Sequence, residues 1–352
     1  MSVLLAIGTV KGLFLARSED RRTWEVEEPR FPMSEVYSLC FDGTRLLAGL
    51  SDPVYGPVVS AGEDFGATWS ELGRPVFPEE TGTSLERVWQ LAVGPSGRLY
   101  AGTQPSALFA SDDGGGTFEL VEPLWDHPHR PFWEAGFGGQ AVHTILPHPD
   151  DPSEVLVAMS TGGVYRTRDG GGSWTASNTG VQASFLPDPF PEFGQCVHKV
   201  ARDCGDPRRL YLQNHGGVYR SDDDGSTWES IADGLPGDFG FAMVAHPHRP
   251  GTIYTFPING DERGRYPCDH RCRVFRSRDA GSSWEALTEG LPQEPFYPTI
   301  LRDAMCADDA APVGIYFGSR SGEVFASAAE GDTWTTVATH LPDVCCVRAT
   351  TV

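Results

Sequence analysis

The sequence predicts an all-β chain: a seven-bladed β-propeller of four-stranded antiparallel blades, forming one domain over residues 1–352. Three observations predict it. A short turn motif recurs seven times, β-like runs surround each copy, and the two chain ends complement one another.

The motif reads Ser/Thr-x-Asp-x-Gly-x-Ser/Thr-Trp/Phe. Complete copies run Ser111 to Phe118, Thr167 to Trp174, Ser221 to Trp228 and Ser277 to Trp284. Three are worn: Asp64 to Trp69 lacks the leading Ser, Ser18 to Trp24 is one residue short, and Ser327 to Trp334 has Ala329 in place of Asp. The aromatic positions 24, 69, 118, 174, 228, 284 and 334 lie 45, 49, 56, 54, 56 and 50 residues apart, a period that indicates a repeat array. Chemistry explains the composition. A short Asp accepts hydrogen bonds from the amides of its own turn, Gly supplies positive φ, the hydroxyl ties the turn ends, and the aromatic ring buries a large area.

Each motif sits between two short runs and follows two others. In the third unit these are Val88 to Val93, Arg98 to Gly102, Ala107 to Ser111 and Thr117 to Val121, rich in β-branched and aromatic residues. The chain starts in what reads as a second strand, Val3 to Thr9, and finishes in an unpartnered one, Val344 to Thr350. The C-terminal strand is therefore expected to complete the N-terminal blade, closing the ring and removing a sheet edge.

The formal charge of −21 repels nucleic acid and anionic membrane, so neither is expected as a partner. No apolar stretch is long enough to span a bilayer, and the first residues lack a basic leader. The expectation is a cytoplasmic protein whose eight Cys stay reduced, with Cys40, Cys196, Cys306, Cys345 and Cys346 buried in or near innermost strands.

The turn motif resembles the Asp-box, or BNR repeat, of the sialidase superfamily. Over essentially its whole length the chain is similar to bacterial propellers labelled sialidase-like or BNR-repeat glycosyl hydrolases. In that superfamily the boxes lie away from the active site, which implies that Asp113, Asp169, Asp223 and Asp279 are not catalytic. True sialidases resemble one another in six blades and an early aromatic-Arg-Ile-Pro string. Here Pro29-Arg30-Phe31-Pro32 keeps only the Arg and Pro, which argues against a true sialidase.

Propellers bind ligands at the channel mouth, on the face opposite these turns. Aligning the blades puts Tyr37, Trp89, His143, His198, Phe241, Asp303 and Cys345 at one equivalent position there. His143 and His198, each preceded by a Gly-Gln string, can form a binding or proton-transfer site with Asp303 or Arg302, or can instead hydrogen-bond between blades. Gln195 belongs to the second of those strings. The loop Trp125 to Glu134 is the densest further cluster. His127, His129 and Glu134, followed by His143, are ligand types for a divalent metal, and Trp133 suits a sugar-stacking platform; the alternative is a Pro-stiffened packing loop. A second loop, Asn259 to Arg273, carries Asp261, Arg263, Arg265, Cys268, Asp269, His270 and Cys272 and reads as a solvated lid whose Arg residues can receive an anion. Asn214 and His215 fall at the rim.

Three functions follow. The first is a propeller that binds a small molecule, glycan or protein at the mouth without catalysis. The second is a glycoside hydrolase or lyase using paired carboxylates drawn from Glu134, Asp238, Asp303 and Asp343, with His143 and His198 in proton transfer. The third is a metal-dependent hydrolase; no cofactor is required by the sequence, and a divalent metal is compatible with it. The first is the leading expectation.

Overall fold

The computed structural model describes residues 2–136, 139–260 and 263–352. It contains seven four-stranded antiparallel sheets, a seven-bladed β-propeller. Blade one pairs the C-terminal strand Val344–Thr351 with Val3–Thr9, followed by Gly12–Ser18 and Glu25–Val26. The expected closure is therefore present, with a register running from Val3 opposite Thr351 to Thr9 opposite Val344. The inner strands of the other blades are Glu35–Asp42, Arg87–Val93, Val142–Pro147, Val197–Arg202, Phe239–Ala245 and Met305–Ala307, each followed by three more strands in sequence order.

The blades fall into two compact units. One holds residues up to Pro32 together with Lys199–Val352, and the other Met33–His198. In the first unit the core runs through Val3, Leu5, Ile7, Tyr254, Phe256, Ile315, Tyr316 and Phe317, all at most 1% exposed. In the second, Leu47, Val59, Ala101, Phe109, Val157 and Tyr165 are equally buried within two clusters. Second and third strands read as continuous apolar runs such as Val155–Met159 because both their faces are covered. Burying each such Val, Leu, Ile or Phe contributes roughly 1.5–3 kcal/mol.

The turn chemistry is the one the motif implies. Asp113 Oδ1 accepts the Ser111 hydroxyl at 2.8 Å and the Thr117 amide at 3.0 Å, while Ser111 Oγ accepts the Gly115 amide at 2.9 Å. Asp169, Asp223 and Asp279 repeat the pattern. Blade seven replaces it. Without an Asp, Ser327 Oγ still caps the Gly331 amide at 2.8 Å, and Glu330 reaches blade six instead, pairing with Arg249 at 2.6 Å and lying 3.7 Å from His246 Nε2. The Glu330 carbonyl accepts Tyr254 Oη and Arg276 Nη1. No helix of the described residues is long and apolar enough to cross a membrane.

Candidate functional site

In five inner strands the ladder skips one position near the strand start, and the skipped residue is the one aligned from sequence. The shift falls between Val36 and Ser38, Val88 and Gln90, and Val142 and Thr144, leaving Tyr37, Trp89 and His143 out of register. In blade six it falls between Gly240 and Met243, around Phe241, and in blade one Cys345 is passed over. A β-bulge bends the strand and re-aims its extra side chain, so each of these five blades presents one residue independently of its pairing.

In the Met33–His198 unit these bulges build a polar and aromatic network. Tyr37 and Trp89 rings meet at 4.9 Å, and the Arg87 guanidinium lies 4.1 Å from the Tyr37 centroid. Arg87 Nη2 pairs with Glu35 Oε2 at 3.1 Å, and its Nη1 donates to Gln104 Oε1 at 3.2 Å, an atom that also accepts Trp89 Nε1 at 2.8 Å. Gln104 Nε2 then donates to Glu86 Oε2 at 2.7 Å. Two carboxylates, Glu35 and Glu86, thus bracket an Arg–Gln pair, with both acids open to solvent. Met33, Val54 and Tyr55, between 73% and 79% exposed, lie in the loop before this strand and in the turn that follows its neighbour.

The Trp125 to Glu134 loop packs inward. Trp133 is only 6% exposed and donates Nε1 to Tyr165 Oη at 2.9 Å, while His129 Nδ1 lies 3.1 Å from the same oxygen. A ring buried this way has no free face for a sugar. His129 stacks on Phe193 at 3.9 Å, and its Nε2 is 4.0 Å from Glu192. His127 Nδ1 accepts the His129 amide; burial first, then the neighbouring His129, pulls its imidazole below the usual value. Trp125 is capped by Arg130 at 3.2 Å. Exposed groups remain at the edge of this cluster: Glu134, Glu192 and Phe132, the last 67% exposed.

His143 and His198 are 1% and 2% exposed, and His198 Nε2 lies 3.6 Å from Cys196 Sγ, two ligand types suited to a soft divalent ion. Gln195 is fully buried and ties down its own loop through Nε2 bonds to the Pro191 and Val181 carbonyls. An open groove of about 580 Å³, on the side of the turn motifs, is lined by Arg98, Phe118, Glu119, Glu122 and Gly171.

In the other unit Asp303 is 3% exposed. Its Oδ1 receives Lys199 Nζ at 2.7 Å and Arg348 Nη2 at 2.5 Å, and its backbone carbonyl receives the Val347 amide at 2.8 Å. Burial opposes ionisation of Asp303, but Lys199 and Arg348 outweigh it and hold the carboxyl below its usual value. Asp303 is thus kept charged, which suits an anchor or base and not a proton donor. Arg302 lies over Phe241 at 5.6 Å and Arg265 over the same ring at 5.9 Å. His215 meets Phe239 edge-on at 4.9 Å. Asp238 is exposed, and Asp343 pairs with Arg320 at 2.9 Å. In the loop between Asn259 and Arg273, Cys268 and Cys272 are buried free thiols, and Asp261 lies outside the described residues.

Sequence reasoning missed Glu35, Glu86, Arg87, Lys199 and Arg348. The first three lie two or three residues before the bulge positions, and Lys199 directly follows His198, so closeness to the aligned position was the available signal.

No known family model matches the chain. Curated relatives are similar in sequence. Xyloglucanase Xgh74A of Acetivibrio thermocellus is 24% identical over 324 residues, covering 77% of this chain and 35% of the relative. A xyloglucanase of Paenibacillus sp is 25% identical over 218 residues, 56% of this chain and 20% of its own, and one of Hypocrea jecorina 24% identical over 288, 71% and 31%. The chain spans about a third or less of the length of these relatives. Among solved structures, an ancestral GH74 enzyme aligns with a TM-score of 0.58 at 19% identity over 86% of this chain and 38% of that one. YCF48 bound to D1 peptide aligns at 0.53 and 15% over 92% and 86%. These structural likenesses establish the fold alone. The sequence relatives overturn the leading functional expectation: they are named as glycoside hydrolases and not as binding proteins, so non-catalytic ligand binding gives way to its enzymatic alternative.

Proposed function

We propose that this propeller is a glycoside hydrolase acting on a polysaccharide of the xyloglucan class. The observation that carries the proposal is the 24% identity to a xyloglucanase sustained over 77% of the chain. The Asp-box likeness of the turns, and membership among sialidase-like propellers, belong to the same reading.

Glycoside hydrolysis needs two carboxylates, one to protonate the leaving oxygen and one to attack or to activate water. Glu35, held in place by its ion pair with Arg87, is the candidate for the second role. Glu86, linked to the same pair through the Gln104 amide that donates to it, is the candidate for the first. Tyr55, with Val54 and Met33, offers apolar area for a sugar face beside them. Glu134 is a further exposed acid of this unit to test.

The assay is release of reducing ends from xyloglucan. Wild type should release them, and Glu35→Gln and Glu86→Gln should each lower kcat by about 100-fold or more without changing the melting temperature. No release by wild type, or full activity in both variants, would refute the assignment; full activity in both together with loss in Glu134→Gln would move the acid to the neighbouring loop.

A further inference from the structure

Two connections in blades six and seven carry aromatic side chains that the hydrolase reading leaves unused. One is the loop between strands Ile253–Ile258 and Val274–Ser277, and the other joins Glu285–Leu287 to Met305–Ala307. In a four-stranded antiparallel blade both connections fall at the end opposite the turn motifs. Both belong to the unit that does not hold Glu35 and Glu86.

The two loops bring three rings together. Tyr266 and His270 stack at 4.9 Å with 21° between their planes, and Tyr297 meets them at 5.3 and 5.0 Å, inclined by 74° and 64°. Tyr297 is 57% exposed, whereas Tyr266 and His270 are half-buried. An exposed ring braced by two others is not free to fold back onto the surface.

The backbone beneath the rings is fixed as well. The Phe296 amide donates to the His270 carbonyl at 2.8 Å, and the Cys272 amide donates to the Pro292 carbonyl at 3.1 Å. Thr299 Oγ1 donates to the Arg265 carbonyl at 2.8 Å, and Gln293 Nε2 to the Cys272 carbonyl at 2.9 Å. Phe296 is buried in the core, and Pro298 holds the backbone of Tyr297 extended. Asp269 and His270 sit at φ 59 and 58, left-handed conformations that persist only where the surroundings over-determine them. Tyr297 is thus ordered before any ligand arrives, so little conformational entropy is left to lose on binding.

We propose that Tyr297, braced by Tyr266 and His270, is a stacking platform for the sugar rings of a neutral polysaccharide, a contact with the polymer additional to the cleaving carboxylates. A pyranose has an apolar C–H face and a hydroxyl rim, and a tyrosine presents the matching combination of apolar ring and polar tip. The formal charge of −21 disfavours an acidic polymer. The choice of polymer rests on the hydrolase reading above, whereas the platform is tested by binding alone.

The test is native electrophoresis of the full chain through gels containing xyloglucan, polygalacturonate or no polymer. Xyloglucan should retard wild type and polygalacturonate should not. Tyr297→Ala should weaken the retardation by about fivefold or more, while Tyr297→Phe, which keeps the ring, should stay within about threefold of wild type. If Tyr297→Ala unfolds, wild type decides: bound xyloglucan should protect Tyr297 from nitration by tetranitromethane. No retardation of wild type by xyloglucan, equal retardation of Tyr297→Ala, unprotected nitration, or stronger retardation by polygalacturonate would overturn the proposal. Self-association of wild type that Tyr297→Ala abolishes, without retardation by either polymer, would also overturn it, making the rings an interface between copies. Xyloglucan cleavage without any loss of retardation in Tyr297→Ala sinks this inference alone; ring-dependent retardation without cleavage sinks only the hydrolase.

Discussion

Asp303→Asn is the perturbation with the largest expected effect on stability. The side chain is 4% exposed and neutralises Lys199, 14% exposed, and Arg348, 22% exposed, through one oxygen. The amide keeps the shape but removes the charge, leaving two largely buried cations facing one another. Breaking a buried pair in this way costs about 3–5 kcal/mol. At ~2.1 cal/mol/K of unfolding entropy per residue over 352 residues, that is a fall of about 4–7 °C in Tm. The assay is urea unfolding followed by Trp fluorescence, at pH 7 and at steps down to pH 3. Because the folded pKa of Asp303 is depressed, its contribution is fully present above the unfolded value of about 3.9 and is lost as pH falls through the lower folded value. Wild type should therefore lose stability in acid below about pH 4, and Asp303→Asn should lose less. Adding Lys199→Met to Asp303→Asn should recover part of the loss, since one orphaned cation is removed. A cost below about 1 kcal/mol, or a double variant weaker than the sum of the singles, would refute the account.

Three further outcomes are expected. Gly322→Ala should cost about 2–3 kcal/mol in urea unfolding, because a Cβ there would lie 1.9 Å from the Leu341 carbonyl at φ 88, whereas Gly56→Ala, at φ 77 with nothing within 4 Å, should cost about 1 kcal/mol. Tyr165→Phe leaves the buried Trp133 Nε1 without its acceptor and should cost about 1–3 kcal/mol in thermal melts; a change under ~0.5 kcal/mol would contradict it. Turn amides hold Asp113 at a pKa of about 2, as do the Ser173 and Thr167 hydroxyls with the Ser173 amide for Asp169. The turns should persist as pH falls past about 4 and loosen only near 2, which carboxyl NMR titration will read; midpoints near 4 would contradict the hydrogen-bond geometry.

The repeat made the fold legible. Asp, Gly, hydroxyl and ring each have a local reason to stand where they do, so seven copies report seven turns without any knowledge of packing. The closure by Val344–Thr351 was legible because a strand without a neighbour at each end has one economical solution. The bulge positions could be aligned for a similar reason, since a common offset from each turn survives in the sequence. Their surroundings could not. Whether Trp133 faces a sugar or Tyr165 depends on the path of a loop, and nothing in the string of Pro, His and Trp sets that path. Lys199 meeting Asp303 joins residues 104 apart in sequence, a contact that no local pattern around either residue reports. Glu35 and Glu86 look like ordinary strand-edge acids until Arg87 and Gln104 link them.

The skipped residue in the inner strands has a consequence for how such a protein diverges. A bulged residue is not set opposite a single residue of the next strand by the backbone ladder, so its exchange leaves the hydrogen-bond register on either side in place. Tyr37, Trp89, His143, Phe241 and Cys345 are five unlike solutions at one equivalent place in a single chain. Kinship of chemistry is better judged by comparing these few residues blade by blade, and two propellers with the same ladder but different bulges should be expected to differ in what they act on.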